Sequence, residues 1–203
     1  MKITRYHYAF LAHYFITVAG ISTDIYLPSL PAISHAFTAS KTMVQLTVTA
    51  FMLAMGLLQF IAGPICDAVG RKKMLVFALL TQILAIIGIL LSPSMHYVIA
   101  FRFIQGVGTA CLTVPTRAIL NDCFHGDALK KQYNYLTISF ALGPILGPLL
   151  GGYLQHYFCW QANFIFMIAY CSFALLCVIL IYRETLTEKI AFSLTHLWHN
   201  YHT

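Results

Sequence analysis

Long apolar runs separated by short polar breaks dominate the pattern of this sequence. A helix that crosses a lipid bilayer needs about 20 mostly apolar residues. The runs that reach this length are Ala9–Leu30, Val44–Cys66, Met74–Ser92, Tyr97–Leu120, Tyr133–Gln155 and Asn163–Tyr182. The breaks contain residues that end helices, such as Pro28 and Pro31 after the first run and Gly70 after the second. The pattern therefore predicts an all-α membrane protein with six transmembrane helices.

Composition narrows the possible functions. Of the 203 residues, 60% are hydrophobic and 9% are Asp, Glu, Lys or Arg, against about 25% charged residues in a typical soluble domain. This balance excludes a soluble enzyme, a nucleic-acid-binding module and a disordered chain. No catalytic grouping or cofactor motif is visible, and the 6 cysteines show no metal-ligand spacing. We therefore expect a protein that is not an enzyme, with residues 1–183 forming one membrane bundle.

The basic residues fall on one side of the predicted membrane. Of the 12 Lys and Arg residues, all but Lys41, Arg102 and Arg117 lie in the N-terminal segment, in the second and fourth connections or in the C-terminal tail, and Arg117 lies at the membrane edge next to the fourth connection. Cytoplasmic loops carry this excess of Lys and Arg. The distribution predicts that both termini are cytoplasmic. It also explains the net charge of +6 without a nucleic-acid partner.

Two ionisable residues, Asp24 and Arg102, lie inside apolar runs. Each costs roughly 2.5–3.5 kcal/mol at the centre of a bilayer helix, so such residues usually face a bundle interior or a watery cavity. With a rise of 1.5 Å per residue, both lie in the outer third of a ~30 Å hydrocarbon core. We therefore expect them to be partners. The alternative is that Asp24 lies near the interface and that Arg102 bonds backbone carbonyls for stability.

Glycine spacing marks the fifth run. Gly143, Gly147 and Gly151 are four residues apart and share one helix face, a pattern that lets two helix backbones approach closely. Pro144 and Pro148 lie within the same frame and each removes a helix hydrogen bond. A generic packing seam is the simpler interpretation, but two prolines in the glycine frame favour a specialised helix.

These residues resemble motifs of the major facilitator superfamily. The run 143–152, which ends in Gly151 and Gly152, resembles motif C, the antiporter signature. The run 63–73 resembles motif A, and the run 102–108 resembles motif B. The end of the first run, 23–31, and the start of the sixth, 160–164, are similar to the drug:proton antiporters of the bicyclomycin/chloramphenicol resistance (Bcr/CflA) family.

The resemblance implies a fold and a mechanism. It implies two inverted three-helix repeats in a bacterial inner membrane, and alternating access that exchanges protons for a small amphipathic drug-like substrate. Asp24 and Arg102 would couple protons, with Arg102 favouring deprotonation of Asp24, and Arg102, Gln105 and Gly106 would form motif B. The implied substrate cavity is lined by Tyr26, Gln45, Gln105 and Asn134.

Motif A has its own implied roles. Gly63 would allow close helix contact, Gly70 would make a tight turn, and Arg71 and Lys72 would hold the loop in the cytoplasm. Asp67 would pair with Arg71 and help to lock two halves of the transporter together in the outward-facing state. The sequence departs from the family at Ala68, Asn121 and Gln161, where a basic residue is usual.

The superfamily typically has twelve helices in two halves, and this sequence resembles the N-terminal half. Residues 184–203 resemble the start of the cytoplasmic linker that leads to the second half. Motifs A and C would then face helices of the second half. A separately encoded C-terminal half or a second copy of the chain is the expected partner beside the bilayer itself. The alternative is a transport-inactive, truncated membrane protein or a modulatory subunit of a full-length carrier. His196, His199 and His202 fit a linker better than a metal site.

Overall fold

The computed structural model describes residues 5–186, and this part of the chain is helical without a strand. The helices are α1 (Arg5–Asp24), α2 (Leu30–Ala36), α3 (Lys41–Val69), α4 (Arg71–Leu90), α5 (Met95–Cys123), α6 (Gly126–Tyr157) and α7 (Trp160–Leu180). Within the described residues, 6 helical segments are long and apolar enough to cross a membrane, with α1 and α2 counted as one. The six predicted spans are confirmed. The proposed linker lies almost entirely outside the described residues, as do His196, His199 and His202.

The first span breaks at Asp24 rather than at the predicted end, Leu30. Pro28 has no N–H, so the carbonyl of Asp24, four residues earlier, loses its helical donor. The α-helix therefore ends at Asp24. A single 3₁₀ turn over Leu27–Ser29 then leads into α2.

The fifth span begins earlier than predicted, at Gly126 rather than Tyr133. Its first two turns are polar and include the exposed Asp127 and Lys130, which form an ion pair at 3.1 Å. Hydrophobic length predicts only the part of a helix that lies in lipid. The helix itself extends beyond it, because backbone hydrogen bonds and local charge pairs continue to favour the helical turn.

The packing of the helices follows the expected inverted repeat. The central helices are α1 and α5, which contact each other. α3 packs on α5 and α6 packs on α1, so the second span of each three-helix repeat contacts the first span of the other. α4 and α7 cover one side of the central pair and contact each other. This exchange is the arrangement that a pseudo-two-fold axis in the membrane plane produces.

One end of the bundle, hereafter the termini end, gathers both ends of the described chain and two connections. Tyr8 of α1 packs against Tyr182, just after α7, with ring centroids 5.6 Å apart. Arg71, just after the α3–α4 turn, contacts Asp122, near the end of α5. All four segments therefore lie on one side of the membrane.

Candidate functional site

Arg102 lies in the core of the bundle, and its side chain is 1% exposed. Its Nη1 donates to the Gln105 side-chain oxygen at 2.8 Å and to the Ser22 carbonyl at 3.5 Å. The guanidinium carbon lies 3.9 Å from the centre of the Tyr26 ring and 4.4 Å from that of Phe51. The cation is therefore held between two aromatic faces, an interaction worth about 2 kcal/mol when it is desolvated.

Some hydrogen-bond donors of the Arg102 guanidinium remain unpaired. The Nε and Nη2 atoms of Arg102 are buried and have no hydrogen-bond partner among the described residues. Leaving N–H groups of a buried cation unpaired is costly, since the low-dielectric interior offers no water to replace them. A charge kept in the membrane core under these conditions marks a candidate functional site.

Asp24 lies beside this cation but is not paired with it. It is the last residue of α1 and is half-buried. Ser22 and Tyr26, which both contact Arg102, flank it in the chain. In the part of the chain that the structure describes, the ion pairs do not include Asp24 and Arg102. The expected partnership is therefore not formed in this conformation, and Arg102 bonds a backbone carbonyl, as the alternative interpretation had it.

Other buried polar side chains connect the same level of the bundle. Their hydrogen bonds join Ser22 to Gln82 at 3.0 Å, Tyr26 to Thr47 at 3.2 Å and Asn163 to Ser29 at 2.7 Å. Each bond joins different helical segments, so this polar layer fixes how α1 and the turn after it pack on α3, α4 and α7. Apart from Tyr26, sequence reasoning missed these residues. The available signal was a lone amide within an apolar run, as at Gln82.

The four residues predicted to line a substrate cavity fall into two groups. Tyr26 and Gln105 are buried next to Arg102, each 1% exposed. Gln45 of α3 and Asn134 of α6 are exposed. In motif B, a Cβ added at Gly106 would overlap the Phe51 carbonyl, so this glycine allows α3 and α5 to touch.

The glycines of motif C pack within this bundle. A Cβ added at Gly143 would lie 2.5 Å from the backbone of Gly20, and one at Gly151 would overlap the Ile25 carbonyl. A Cβ at Gly147 would lie 3.2 Å from the Ile25 nitrogen. The expectation that motif C faces a second half stays a prediction, since the opposite side of α6 carries the exposed Ile145 and Leu149, but the glycine face itself packs against α1. The physical reason is that α1 offers its own small residue, Gly20, as a matching surface. Gly152 lies beside this face, and Pro144 and Pro148 are within the continuous helix α6.

Motif A forms a charged network at the termini end. Nη1 of Arg71 donates to Asp67 at 2.7 Å and to the Cys66 carbonyl at 3.2 Å, and its Nε donates to Asp122 at 3.2 Å. The predicted pairing of Asp67 with Arg71 is confirmed. Gly70 has φ +103°, a left-handed conformation that favours glycine and makes the predicted tight turn.

Glu184 completes this network, and sequence reasoning missed it. Its carboxylate accepts from the backbone N–H groups of Arg71 and Lys72 at 3.0 and 3.1 Å. These are free donors at the N-terminus of α4, where the helix dipole favours an anion. Lys72 in turn donates to the Tyr182 carbonyl at 2.8 Å. The residues after α7 are thereby fastened to the α3–α4 turn.

Gly63 does not make the close helix contact expected of it. Nothing in the described chain lies within 4 Å of a Cβ added there. The reason is its place on α3, on a side that the described helices leave open. Within the described residues, no group of three or more His, Cys, Asp or Glu side chains could hold a metal ion.

This chain matches only part of the length of its relatives. The chain is 34% identical over 141 residues to the bicyclomycin resistance protein homolog of Haemophilus influenzae, covering 70% of this chain and 35% of that protein. It is 30% identical over 154 residues to a chloramphenicol resistance protein of Pseudomonas aeruginosa, covering 75% and 37%. The chain therefore spans little more than a third of the length of these relatives.

A solved structure shares the fold. The crystal structure of the human organic anion transporter MFSD10 superimposes with a TM-score of 0.76 at 18% identity, covering 93% of this chain and 50% of that one. The model of the Major Facilitator Superfamily matches residues 14–197. This match covers most of the chain and agrees with the six-span bundle and its inverted packing. The chain belongs to the Major Facilitator Superfamily, a family of transporters and not of enzymes.

Proposed function

We propose that these six helices form the N-terminal half of a proton-coupled multidrug efflux antiporter that works by alternating access. The drug-resistance names of the relatives support the substrate class. The basic residues at the termini end support an orientation with both termini in the cytoplasm of a bacterial cell. The substrate is a small amphipathic molecule, and it binds between this half and a second one.

The observation that carries the proposal is the incompletely bonded Arg102 next to Asp24. An Arg side chain is always protonated, so it cannot relieve its burial by losing a proton. Its Nε and Nη2 remain available for a carboxylate. The proposal is that deprotonated Asp24 takes these donors in another conformation, and that protonated Asp24 releases them.

In this proposal, drug binding and protonation of Asp24 compete because both act on the break in α1. Asp24 ends α1 where Pro28 breaks the helix, so a change at Asp24 reaches the turn that carries Tyr26. Tyr26 contacts both Arg102 and Thr47 of α3. The exposed Gln45 and Asn134, on α3 and α6, are the proposed polar contacts for the drug.

Motif A has a locking role in this proposal. Asp67 keeps 44% of its side chain exposed although it bonds Arg71. The exposed part of the carboxylate is available to a helix of the second half. The bonds of Arg71 to both Asp67 and Asp122 would hold it in position.

The test is proton-driven efflux with a second half supplied, either co-expressed or fused after Thr203. Asp24→Asn removes the titrating group and keeps its size, so we expect efflux to be abolished and membrane insertion to be intact. Arg102→Ala should do comparable damage. Asp127→Asn removes an exposed carboxylate whose side chain is 96% exposed, and it should leave efflux unchanged. Proton-driven efflux by Asp24→Asn at the wild-type rate would contradict the coupling role.

A second arm tests the half-transporter. The 203-residue chain alone, in liposomes with an imposed pH gradient, should not move a cationic dye in a proton-dependent way. Transport that Asp24→Asn abolishes would instead make two copies of this chain the working unit. The absence of transport in every arrangement would favour the inactive or modulatory alternative.

A further inference from the structure

A crevice between α5 and α6 opens near the termini end and contains one cation. It has a volume of about 440 Å³ and is lined by Ile16, Arg117, Tyr133, Leu136, Thr137 and Phe140. Ile16 of α1 is buried and forms the floor. Its apolar walls come from Leu136 and Phe140. The crevice therefore combines an apolar floor and walls with two hydroxyl groups, and it carries a single formal charge.

Arg117 is free to bind a ligand. It is exposed, and it forms no hydrogen bond or ion pair with any other described residue. The two hydroxyl groups of the crevice already donate elsewhere, Tyr133 to Asn121 at 3.0 Å and Thr137 to the Tyr133 carbonyl at 3.0 Å. The guanidinium, with five N–H donors, is thus the main donor that the crevice can offer.

A neighbouring crevice on the other side of α5 is unsuited to an anion. It contains Arg71 as well as Arg117 and has a volume of about 480 Å³, but Asp67 and Asp122 also line it, and both carboxylates form ion pairs with Arg71. These carboxylates would repel a negative group. The α5–α6 crevice has no carboxylate in its lining, so an anion that binds Arg117 is directed there.

We propose that the α5–α6 crevice binds an amphiphile that ends in a single anionic group, a carboxylate or a phosphate. The anionic group bonds Arg117, and the acyl chain lies along Ile16, Leu136 and Phe140. Arg117 is about 9 Å from the end of α5 and about 22 Å along that helix from Arg102. The site therefore lies near the membrane edge and is separate from the proposed proton-coupling pair. Basic pockets between transmembrane helices commonly bind acidic lipid headgroups.

The test compares two ligands with the same tail. The purified full chain in phosphatidylcholine nanodiscs is titrated with dodecanoate and with dodecanol, and empty nanodiscs are subtracted. Dodecanoate should bind more tightly than dodecanol. Arg117→Gln should weaken dodecanoate binding about 10- to 100-fold, the worth of a hydrogen bond to a charged group, and should leave dodecanol unchanged. Arg183→Gln removes an exposed cation from the same end and should change neither.

One further variant and one further preparation complete the test. Phe140→Ala should weaken both ligands, because it removes part of the apolar wall. Nanodiscs that also contain phosphatidylglycerol distinguish the sources of the anion. If wild type retains phosphatidylglycerol in native mass spectrometry and Arg117→Gln loses it, the occupant is a bilayer lipid, whereas equal retention with weaker dodecanoate binding indicates a free amphiphile. If Arg117→Gln matches wild type for dodecanoate and for phosphatidylglycerol, the proposal is wrong. None of these outcomes depends on transport, so they stand apart from the proposed function.

Discussion

The glycines of α6 that pack on α1, hereafter the glycine seam, differ in the space that each leaves for an added Cβ. Replacing them by alanine should therefore have graded effects on stability. An alanine Cβ at Gly151 would overlap the Ile25 carbonyl. At Gly147 it would lie 3.2 Å from the Ile25 nitrogen, and at Gly152 its nearest neighbour would be Pro28 Cβ at 3.9 Å. The obstacle at Gly151 is backbone, which cannot turn aside as a side chain can.

Two opposing effects decide the sign of each substitution. Replacing glycine by alanine within a helix gains up to about 1 kcal/mol of intrinsic stability. Overpacking typically costs about 1–3 kcal/mol, and an overlap with backbone belongs at the upper end. Gly151→Ala should therefore lower the free energy of unfolding by about 2 kcal/mol. Gly152→Ala should raise it by up to about 1 kcal/mol.

The assay is unfolding of the purified chain in detergent, followed by helical circular dichroism. The expected order of stability is Gly152→Ala, then Gly147→Ala, then Gly151→Ala. Gly56→Ala is an independent control on α3, since nothing lies within 4 Å of a Cβ there. If Gly151→Ala were as stable as Gly152→Ala, the close approach of α1 and α6 described here would be refuted.

Two further predictions concern topology and the termini end. Reporter fusions after Lys73, Lys131 and Lys189 should report the cytoplasm and fusions near Lys41, Pro93 and Cys159 the outside, so a periplasmic signal at Lys131 would contradict the six-span orientation. Glu184→Gln should lower the free energy of unfolding by about 0.3–1 kcal/mol because it removes an anion from the N-terminus of α4, and a difference from wild type that did not shrink at high salt would exclude this electrostatic explanation.

The existence and order of the spans could be predicted, because hydrophobic length alone identifies a membrane helix. The polar start of α6 at Gly126 could not, since nothing in the apolar pattern extends so far. The break at Asp24 was within reach of the sequence. Pro28 removes the donor for the carbonyl four residues earlier, whereas the prediction placed the end of the span at Leu30, between the prolines.

The sequence predicted the depth of Asp24 and Arg102 in the membrane, but not the direction in which Asp24 points from its helix. Depth along α1 and α5 correctly brings Asp24 and Arg102 to one layer. Ser22 and Tyr26 are four residues apart, and both contact Arg102. Asp24, two residues after Ser22 on α1, is turned about 200° away from it on a helix of 3.6 residues per turn. The axial distance along a helix does not reveal this difference in direction. The angular positions of the residues around the helix axis would have revealed it.

The motif C glycines and Asp24 meet at the same face of α1. The face of α1 that Asp24 presents is the one that α6 approaches, because a Cβ at Gly147 would lie 3.3 Å from Asp24 Cβ. Bringing the carboxylate to the open donors of Arg102 requires the end of α1 to turn away from α6. Pro28 leaves the backbone at Asp24 without its helical bond, which lowers the resistance to such a turn, while the close contact of Gly143 with Gly20 holds the seam before the break. The proposed coupling therefore needs a local rotation at the break in α1, which shifts the contacts of Gly147 and Gly151 with Ile25, and it does not need α1 and α6 to separate at Gly20 and Gly143.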